Sequence, residues 1–334
     1  MAGNSIIDDR ESQIALSREH KKKHEASMKT RRIVGNVVVY AILSIMVVIW
    51  LLPIVWLLLQ SFNSQHGSAG MQKLIPTQFG FDNYYELFNN VYYEGGKYLD
   101  SAYLFFARVN NGRLYLGSFF YTLFIAAISA VISTLFVMMT SYAFSRLRFK
   151  SRQMMMKAIL LLGMFPGFLS LIVLYEIFKM WKMTGTIWSL IIIYSGGAGM
   201  GYYISKGFFD TISKQIDEAA MIDGASRFQI FYKITLPLSK PIVVYQVITA
   251  FMGPWAEYIT AGYLLRSPQN FKTGTVTTVA VQLKDMLRTE DGTRGRYWGQ
   301  FCAAAVIIAI PTSILFIIMQ KNYVSGVTGG AVKG

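Results

Sequence analysis

Two stretches of this chain run without a charged residue for longer than a water-soluble helix ordinarily does: about Ile33 to Leu59, and everything between Arg113 and Arg146. A membrane-spanning helix needs about 20 mostly apolar residues, because each adds about 1.5 Å across a hydrocarbon core about 30 Å thick. By that measure the sequence offers six candidate spans. They run from about Ile33 to Leu59, Leu114 to Phe144, Ala158 to Phe178, Thr184 to Ser205, Ile242 to Leu265 and Phe301 to Met319. The third contains Pro166, an expected kink. The fourth is rich in glycine at Gly196, Gly197, Gly199 and Gly201. The expected fold is therefore an all-α integral membrane protein with six transmembrane helices. Composition agrees: 53% of the 334 residues are hydrophobic and only 15% charged, where soluble domains are nearer a quarter charged. The first span follows a charged leader of about 30 residues and is too long for a signal-peptide core, so it reads as a retained anchor.

The net charge of +14 does not point to nucleic acid, because the basic residues sit in short segments between apolar runs. Six spans put both ends on one side. Counted that way, 20 Lys and Arg fall on the side of the termini and 12 on the other, which predicts both termini in the cytoplasm. The segment 266–296, with six basic residues, runs against this bias. The resulting plan has a cytoplasmic tail (1–32), a first span (33–60), an extracytoplasmic loop or cap (61–113), a core of five further spans (114–321) with a cytoplasmic loop at 206–241, and a cytoplasmic tail (322–334). The long outer segment carries Tyr84, Tyr85, Tyr92, Tyr93 and Tyr98, and long loops tend to be functional. Cys302, the single cysteine, lies in an apolar run and reads as a small buried residue. His20 and His24 have the i, i+4 spacing of a metal pair, but Lys21, Lys22 and Lys23 between them repel a cation, and no metal site is expected.

The most informative stretch is Asp217 to Pro241, between the fourth and fifth spans. A helix is expected from about Lys214, with good helix formers at Glu218, Ala219 and Ala220 and acids near its amino end, where the helix dipole favours them. Gly224 permits a positive φ and stops it. A second short helix is expected from about Ser226 to Ile234, with Phe228, Phe231 and Ile234 at three-residue spacing. Leu236-Pro237 and Pro241 then turn the chain into the next span. The product is two short helices at an angle, the first with a small-residue surface that lets a partner come close. An ordinary amphipathic surface loop has the same spacing.

This stretch resembles the EAA loop of ABC importer permeases, whose pattern is E-A-A, three residues, G, nine residues, I-x-L-P. Glu218-Ala219-Ala220, Gly224, Ile234, Leu236 and Pro237 match it throughout. The resemblance implies the MetI-like core of a type I importer permease. It also implies that Glu218, Ala219, Ala220, Asp223, Gly224 and Ala225, with Leu236 and Pro237 behind them, contact a cytoplasmic ATPase subunit. Met164-Phe165-Pro166, Leu169-Ser170-Leu171 and the ending Gly326 to Gly334 are similar to the smaller permease subunit of maltose importers. That likeness implies a tail, with Gly329, Gly330 and Lys333, at the ATPase interface. It covers roughly Leu114 to Gly334; the first third matches only in layout, and the outer loop is longer than the family's usual one. The implied partners are a second homologous permease subunit, an ATPase dimer that holds ATP and magnesium, and an extracytoplasmic sugar-binding protein. By analogy with the maltose system, Ser267 to Tyr297 is where that protein docks.

Glu257 falls at membrane depth in Trp255-Ala256-Glu257-Tyr258. A charge there is costly and faces protein or water. Two readings fit: a translocation path or gate formed by Trp255, Glu257 and Tyr258 with Pro166 and Leu169, or a hydrogen bond that locks two helices. Glu176, near the outer end of the third span, is expected to snorkel to the interface. Gly163 and Gly167, like Gly197 and Gly201, have the spacing of close helix packing, within this chain or between subunits. The chain has no G-x-x-x-x-G-K-[ST] phosphate loop, no H-E-x-x-H and no G-x-S-x-G. A transport subunit without its own ATPase site is therefore expected, rather than a membrane enzyme. A permease for another solute is the alternative, and a stand-alone channel leaves the EAA-like loop unexplained.

Overall fold

The computed structural model describes residues 3–65, 73–94, 97–100, 104–110, 113–164, 167–197, 199–265, 276–287 and 297–331. The chain divides into two compact units, Met1–Leu57 and Leu58–Gly334.

The first unit is most of one helix, α1 (Gly3–Ser61). From Arg31 onward α1 is long and apolar enough to cross a membrane. Its apolar side chains from Ile33 to Val55 are all exposed, an uninterrupted surface that water does not tolerate and lipid does. Pro53 sits inside the helix, which membrane helices accommodate more readily than soluble ones.

The second unit begins with α2 (Asp82–Asn89), β1 (Val91–Glu94), β2 (Lys97–Asp100), β3 (Ala107–Asn110) and β4 (Arg113–Leu116). These strands correct the all-α expectation: the fold is mostly helical, with two antiparallel hairpins, β1–β2 and β3–β4. Their sequences, rich in Tyr, Val and Leu, suit a pleated backbone, and Glu94 lies opposite Lys97 in the register.

The helix α3 (Ser118–Arg146) organises the rest. It packs against α6 (Ile187–Gly196), α7 (Gly199–Thr211) and α10 (Lys240–Ala256). Its inward face is built of small and polar residues: Ser118, Thr122, Ser129, Ser133, Ser141 and Ser145 are buried alongside Ile125, Ala126, Val137 and Met138. Its outward face exposes Phe124, Val131, Leu135, Phe136 and Met139. Polar inside and apolar outside is the arrangement of a helix whose solvent is lipid, where small residues let backbones approach. Three buried clusters lie along α3. One centres on Ala126, Trp255 and Phe105, one on Ile125, Leu190 and Leu264, and one on Val137, Tyr142 and Phe231.

The third and fifth candidate spans are each broken. The third becomes α4 (Arg152–Gly163) and α5 (Gly167–Met180); Pro166, between them, lies outside the described residues. At Gly163 an added Cβ would meet nothing within 4 Å, so that position makes no close packing inside this chain. The fifth becomes α10 and α11 (Ile259–Leu265), with extended backbone at Glu257. Pro254 removes a hydrogen bond from the last turn of α10, and Glu257 uses its own side chain to cap α11.

The segment 267–297, read as an external loop, holds a helix, α12 (Val279–Leu287), with Val279, Val281, Gln282 and Met286 buried; its apolar side chains find the core that a solvated loop does not need. Residues 266–275 and 288–296 lie outside the described residues. The chain closes with α13 (Trp298–Ala331). Gly299 there meets α2 so closely that an added Cβ would lie 2.0 Å from Asn83 Oδ1. Gln300 donates to Glu86 Oε2 and to the Val91 carbonyl, both at 2.8 Å.

Among the described residues four helices are long and apolar enough to cross a membrane: Arg31–Ser61, Ser118–Arg146, Ile187–Thr211 and Trp298–Lys321. The bent pair formed by α9 (Arg227–Leu238) and α10 makes a fifth if taken as one span.

Candidate functional site

The segment after α7 folds as two short helices, α8 (Lys214–Ile222) and α9. Ser213 starts the first by accepting from the Gln215 N–H. Gly224 ends it at φ +80°, a left-handed conformation that costs an L-residue about 1–2 kcal/mol. The Ala225 N–H then closes back on the Ala220 carbonyl at 2.9 Å. Ser226 and Gln229 form a reciprocal capping box that starts α9.

The second helix is longer than its sequence suggests. It continues beyond Ile234 through a wide π turn at Phe231–Thr235 to Leu238. Pro237 has no N–H and its ring crowds the carbonyl four residues back; the π turn supplies an i to i+5 bond, Leu236 N–H to Phe231 O, instead. The chain then bends by 83° into α10.

On the first helix Glu218, Ala219, Asp223 and Gly224 are exposed, Ala225 is half-buried, and Ala220 is buried. Leu236 is half-buried and Pro237 exposed. Two apolar side chains stand proud of this surface: Ile222, 86% exposed, which spacing did not single out, and Phe228, 65% exposed, which three-residue spacing put on one face with the buried Phe231. The core side of α9 is formed by Ile230 and Phe231.

This region is tied to the end of α3. Arg146 Nε lies 2.8 Å from Asp217 Oδ2, with both side chains nearly buried. Arg146 Nη2 also donates to the Ile212 carbonyl at 2.9 Å. One turn earlier, Tyr142 OH donates to the Arg227 carbonyl at 3.3 Å and its ring packs on Phe231 at 4.9 Å. Ser145 donates to Asp210 Oδ1 at 2.6 Å, and Asp210 pairs with Lys206. In the sequence Arg146 is only the charge that ends a span; its partner becomes visible once α8 is folded beneath α3.

Trp255, Glu257 and Tyr258, expected at membrane depth, sit at the break between α10 and α11. Glu257 accepts from Tyr194 OH at 2.8 Å through Oε2 and from the Thr260 N–H at 2.8 Å through Oε1. Tyr194 lies on α6, so the carboxylate ties the break between α10 and α11 to a neighbouring helix. Trp255 is buried against Phe119 and Phe251. Tyr258 is exposed, with Lys284 Nζ 6.0 Å above its ring. Leu169 is 42% exposed on α5, a helix that meets α11 through Tyr175 and Tyr263. In the tail, Gly329 and Gly330 continue α13 and Lys333 lies outside the described residues. Among the described residues no group of three or more His, Cys, Asp or Glu could hold a metal ion.

Comparison with known proteins bears on this arrangement directly. Residues 104–329 match the family of the binding-protein-dependent transport system inner membrane component. The chain is 36% identical over 310 residues to the galactooligosaccharides transport system permease protein GanQ of Bacillus subtilis (strain 168), covering 92% of this chain and 99% of the relative. It is 32% identical over 310 residues, with the same coverage, to the maltodextrin transport system permease protein MalD of Streptococcus pneumoniae (strain ATCC BAA-255 / R6). Among solved structures, a chain of a bacterial ABC transporter involved in the import of the acidic polysaccharide alginate shares the fold. Its TM-score is 0.63 at 22% identity, over 87% of this chain and 96% of that one. The helix–glycine–helix loop, the apolar helices and these matches agree: this chain is a multi-pass inner-membrane protein and belongs to the family of binding-protein-dependent transport system inner membrane components.

Proposed function

We propose that this chain is one permease subunit of an ATP-driven importer of oligosaccharides, with six spans and both termini in the cytoplasm. In this reading α4 and α5 together make the third span, and α10 and α11 the fifth. It supplies half of the translocation pathway beside a second homologous permease subunit. A cytoplasmic ATPase dimer holds ATP and magnesium, and an extracytoplasmic binding protein delivers sugar. The relatives that transport galacto-oligosaccharides and maltodextrin support oligosaccharide as the substrate class.

The observation that carries the reading is the fastening of α8 to α3 through Arg146 and Asp217. A short helix exposing Glu218, Ala219, Ile222 and Gly224 can seat in a partner. Because Asp217 on its other face grips the end of a spanning helix, displacement of α8 is delivered to α3 rather than lost in a loose loop. ATP binding in the partner would move α8, and α3 with α10 would reopen the pathway outward; hydrolysis would reset them. Glu257, with Trp255, Tyr258, Leu169 and Pro166, belongs in this scheme to the pathway or its gate, and Gly329, Gly330 and Lys333 to the ATPase contact.

The test is gentle co-purification of the tagged chain from its native membrane, with mass spectrometry of what accompanies it. A second permease-like chain and an ATPase carrying a phosphate loop are expected, with the ATPase reduced by Glu218→Lys. A chain that purifies alone at every detergent strength would overturn the coupling role and reopen the channel alternative. Transport of an amino acid but no sugar would move the substrate class.

A further inference from the structure

Where α3 ends and α4 begins, a cleft of about 530 Å³ opens against α8 and α9. Five cations line it: Arg146, Arg148, Arg152, Lys214 and Arg227. Two acids face them. Asp217 is engaged by Arg146, which leaves Glu218 alone against the other four. Among the described residues no carboxylate lies within ion-pair distance of Arg148, Arg152, Lys214 or Arg227; Arg152 reaches Asp210 only through longer-range attraction. Arg146 Nη1 is also buried without a hydrogen-bond partner among the described residues. Cations gathered this closely raise one another's energy, and a low-dielectric wall concentrates their field on any anion that enters.

The cleft also has an apolar side. Phe149 and Met221 line it and are exposed. From Arg152 the helix α4 leads away from it, exposing Met154, Met155, Leu160, Leu161 and Leu162, with no residue of α4 buried. A soluble phosphate would meet the cations and leave this apolar strip bare. A molecule with an anionic phosphate head and hydrocarbon tails meets both.

We propose that the cleft binds the phosphate headgroup of an anionic phospholipid from the inner leaflet, its chains lying along α4. Basic pockets at the cytoplasmic ends of spanning helices suit such headgroups. The proposal rests on the reading that residues 206–241 face the cytoplasm. It places a lipid where the coupling loop joins α3, so membrane composition bears on how well the loop drives the spans.

The test uses the tagged chain with whatever partners co-purify, reconstituted into nanodiscs of phosphatidylcholine with or without phosphatidylglycerol. Bound phosphatidylglycerol is counted by native mass spectrometry. The wild type is expected to retain it selectively. Arg148→Gln with Arg152→Gln should lower that retention by about tenfold or more, and Arg148→Lys with Arg152→Lys should restore it. Equal retention in wild type and the Gln pair would overturn the proposal. So would a Gln pair that sheds the ATPase while keeping its lipid, which would make the cleft a protein-docking surface. In a separate arm inorganic phosphate is added to the phosphatidylcholine discs. Binding that depends on the same arginines and resists phosphatidylglycerol would replace the lipid by a soluble phosphate. The lipid count is made on this chain with or without an ATPase attached, so failure of the coupling reading leaves it legible.

Discussion

The two ends of α3 are held by different chemistry. At the Ser118 end the contacts are neutral and spread out. Ser118 donates to Gln282 Oε1, the Val279 N–H donates to Thr122 at 2.9 Å, and Phe105, Phe106 and Phe119 pack around them. At the Arg146 end much of the connection passes through one ion pair with Asp217, helped by Tyr142 and Ser145. A distributed neutral contact loses little when one member is removed. A buried ion pair fails abruptly, because the surviving charge has no water to return to. One end of the helix is thus held by many weak contacts, and the other largely by one strong one.

The sharpest way to break this comparison is Arg146→Leu. Leaving Asp217 buried without its partner should cost about 3–5 kcal/mol. It should show as a large fall in thermal stability of the solubilised chain and a loss of transport exceeding tenfold. Adding Asp217→Leu should recover much of the stability, though not the transport. A double variant no better than the single would mean that the pair is not the principal tie.

A smaller effect is expected from Gly224→Val. No atom lies within 4 Å of the added Cβ, so the cost is conformational, about 1–2 kcal/mol from the positive φ. Uptake should fall while the chain still inserts and assembles, and Gly224→Asn should be milder, since Asn tolerates that conformation. Unchanged uptake in the valine variant would count against the loop as the transmitting element.

Below that stands Ser226→Ala, which removes the capping box of α9 at about 1 kcal/mol. Hydrogen exchange should quicken across the start of α9 and stay unchanged in α3. The least effect is expected from Ser133→Ala, in the middle of α3. Its bond from Gln246 is 3.4 Å long, and interhelical bonds in membranes average about 0.6 kcal/mol. A Ser133 variant as damaging as Arg146→Leu would erase the contrast between the distributed and concentrated parts of the helix.

Local chemistry made much of this legible in the sequence. Charge-free runs mark α3 and the apolar part of α1, and Gly224 and Ser226 announce the turn between α8 and α9. What the sequence hid depends on distance along the chain or on competition between local rules. The partnership of Arg146 with Asp217 requires knowing that α8 folds beneath α3. The break at Glu257 looks like the middle of an apolar run, and only a side chain that caps the following helix shows why it stops there. The hairpins stay hidden because Tyr-rich segments in a long loop carry no strong apolar alternation. The extension of α9 through Pro237 depends on a π turn, which spacing at three and four residues does not reveal.

The right-angled joint between α9 and α10 has a mechanical consequence. Ser239 is buried at the corner, its N–H held by the Thr235 and Leu236 carbonyls and its own carbonyl accepting from Ile242 and Val243. The corner is stiff, and the two arms measure about 18 and 25 Å by helical rise. Joined at 83°, they form a bell crank. A force across the short arm turns about Ser239 and emerges as a swing of the long one, about 1.4 times larger at its tip by the ratio of those lengths. A small rocking of the loop would therefore be geared up toward Glu257.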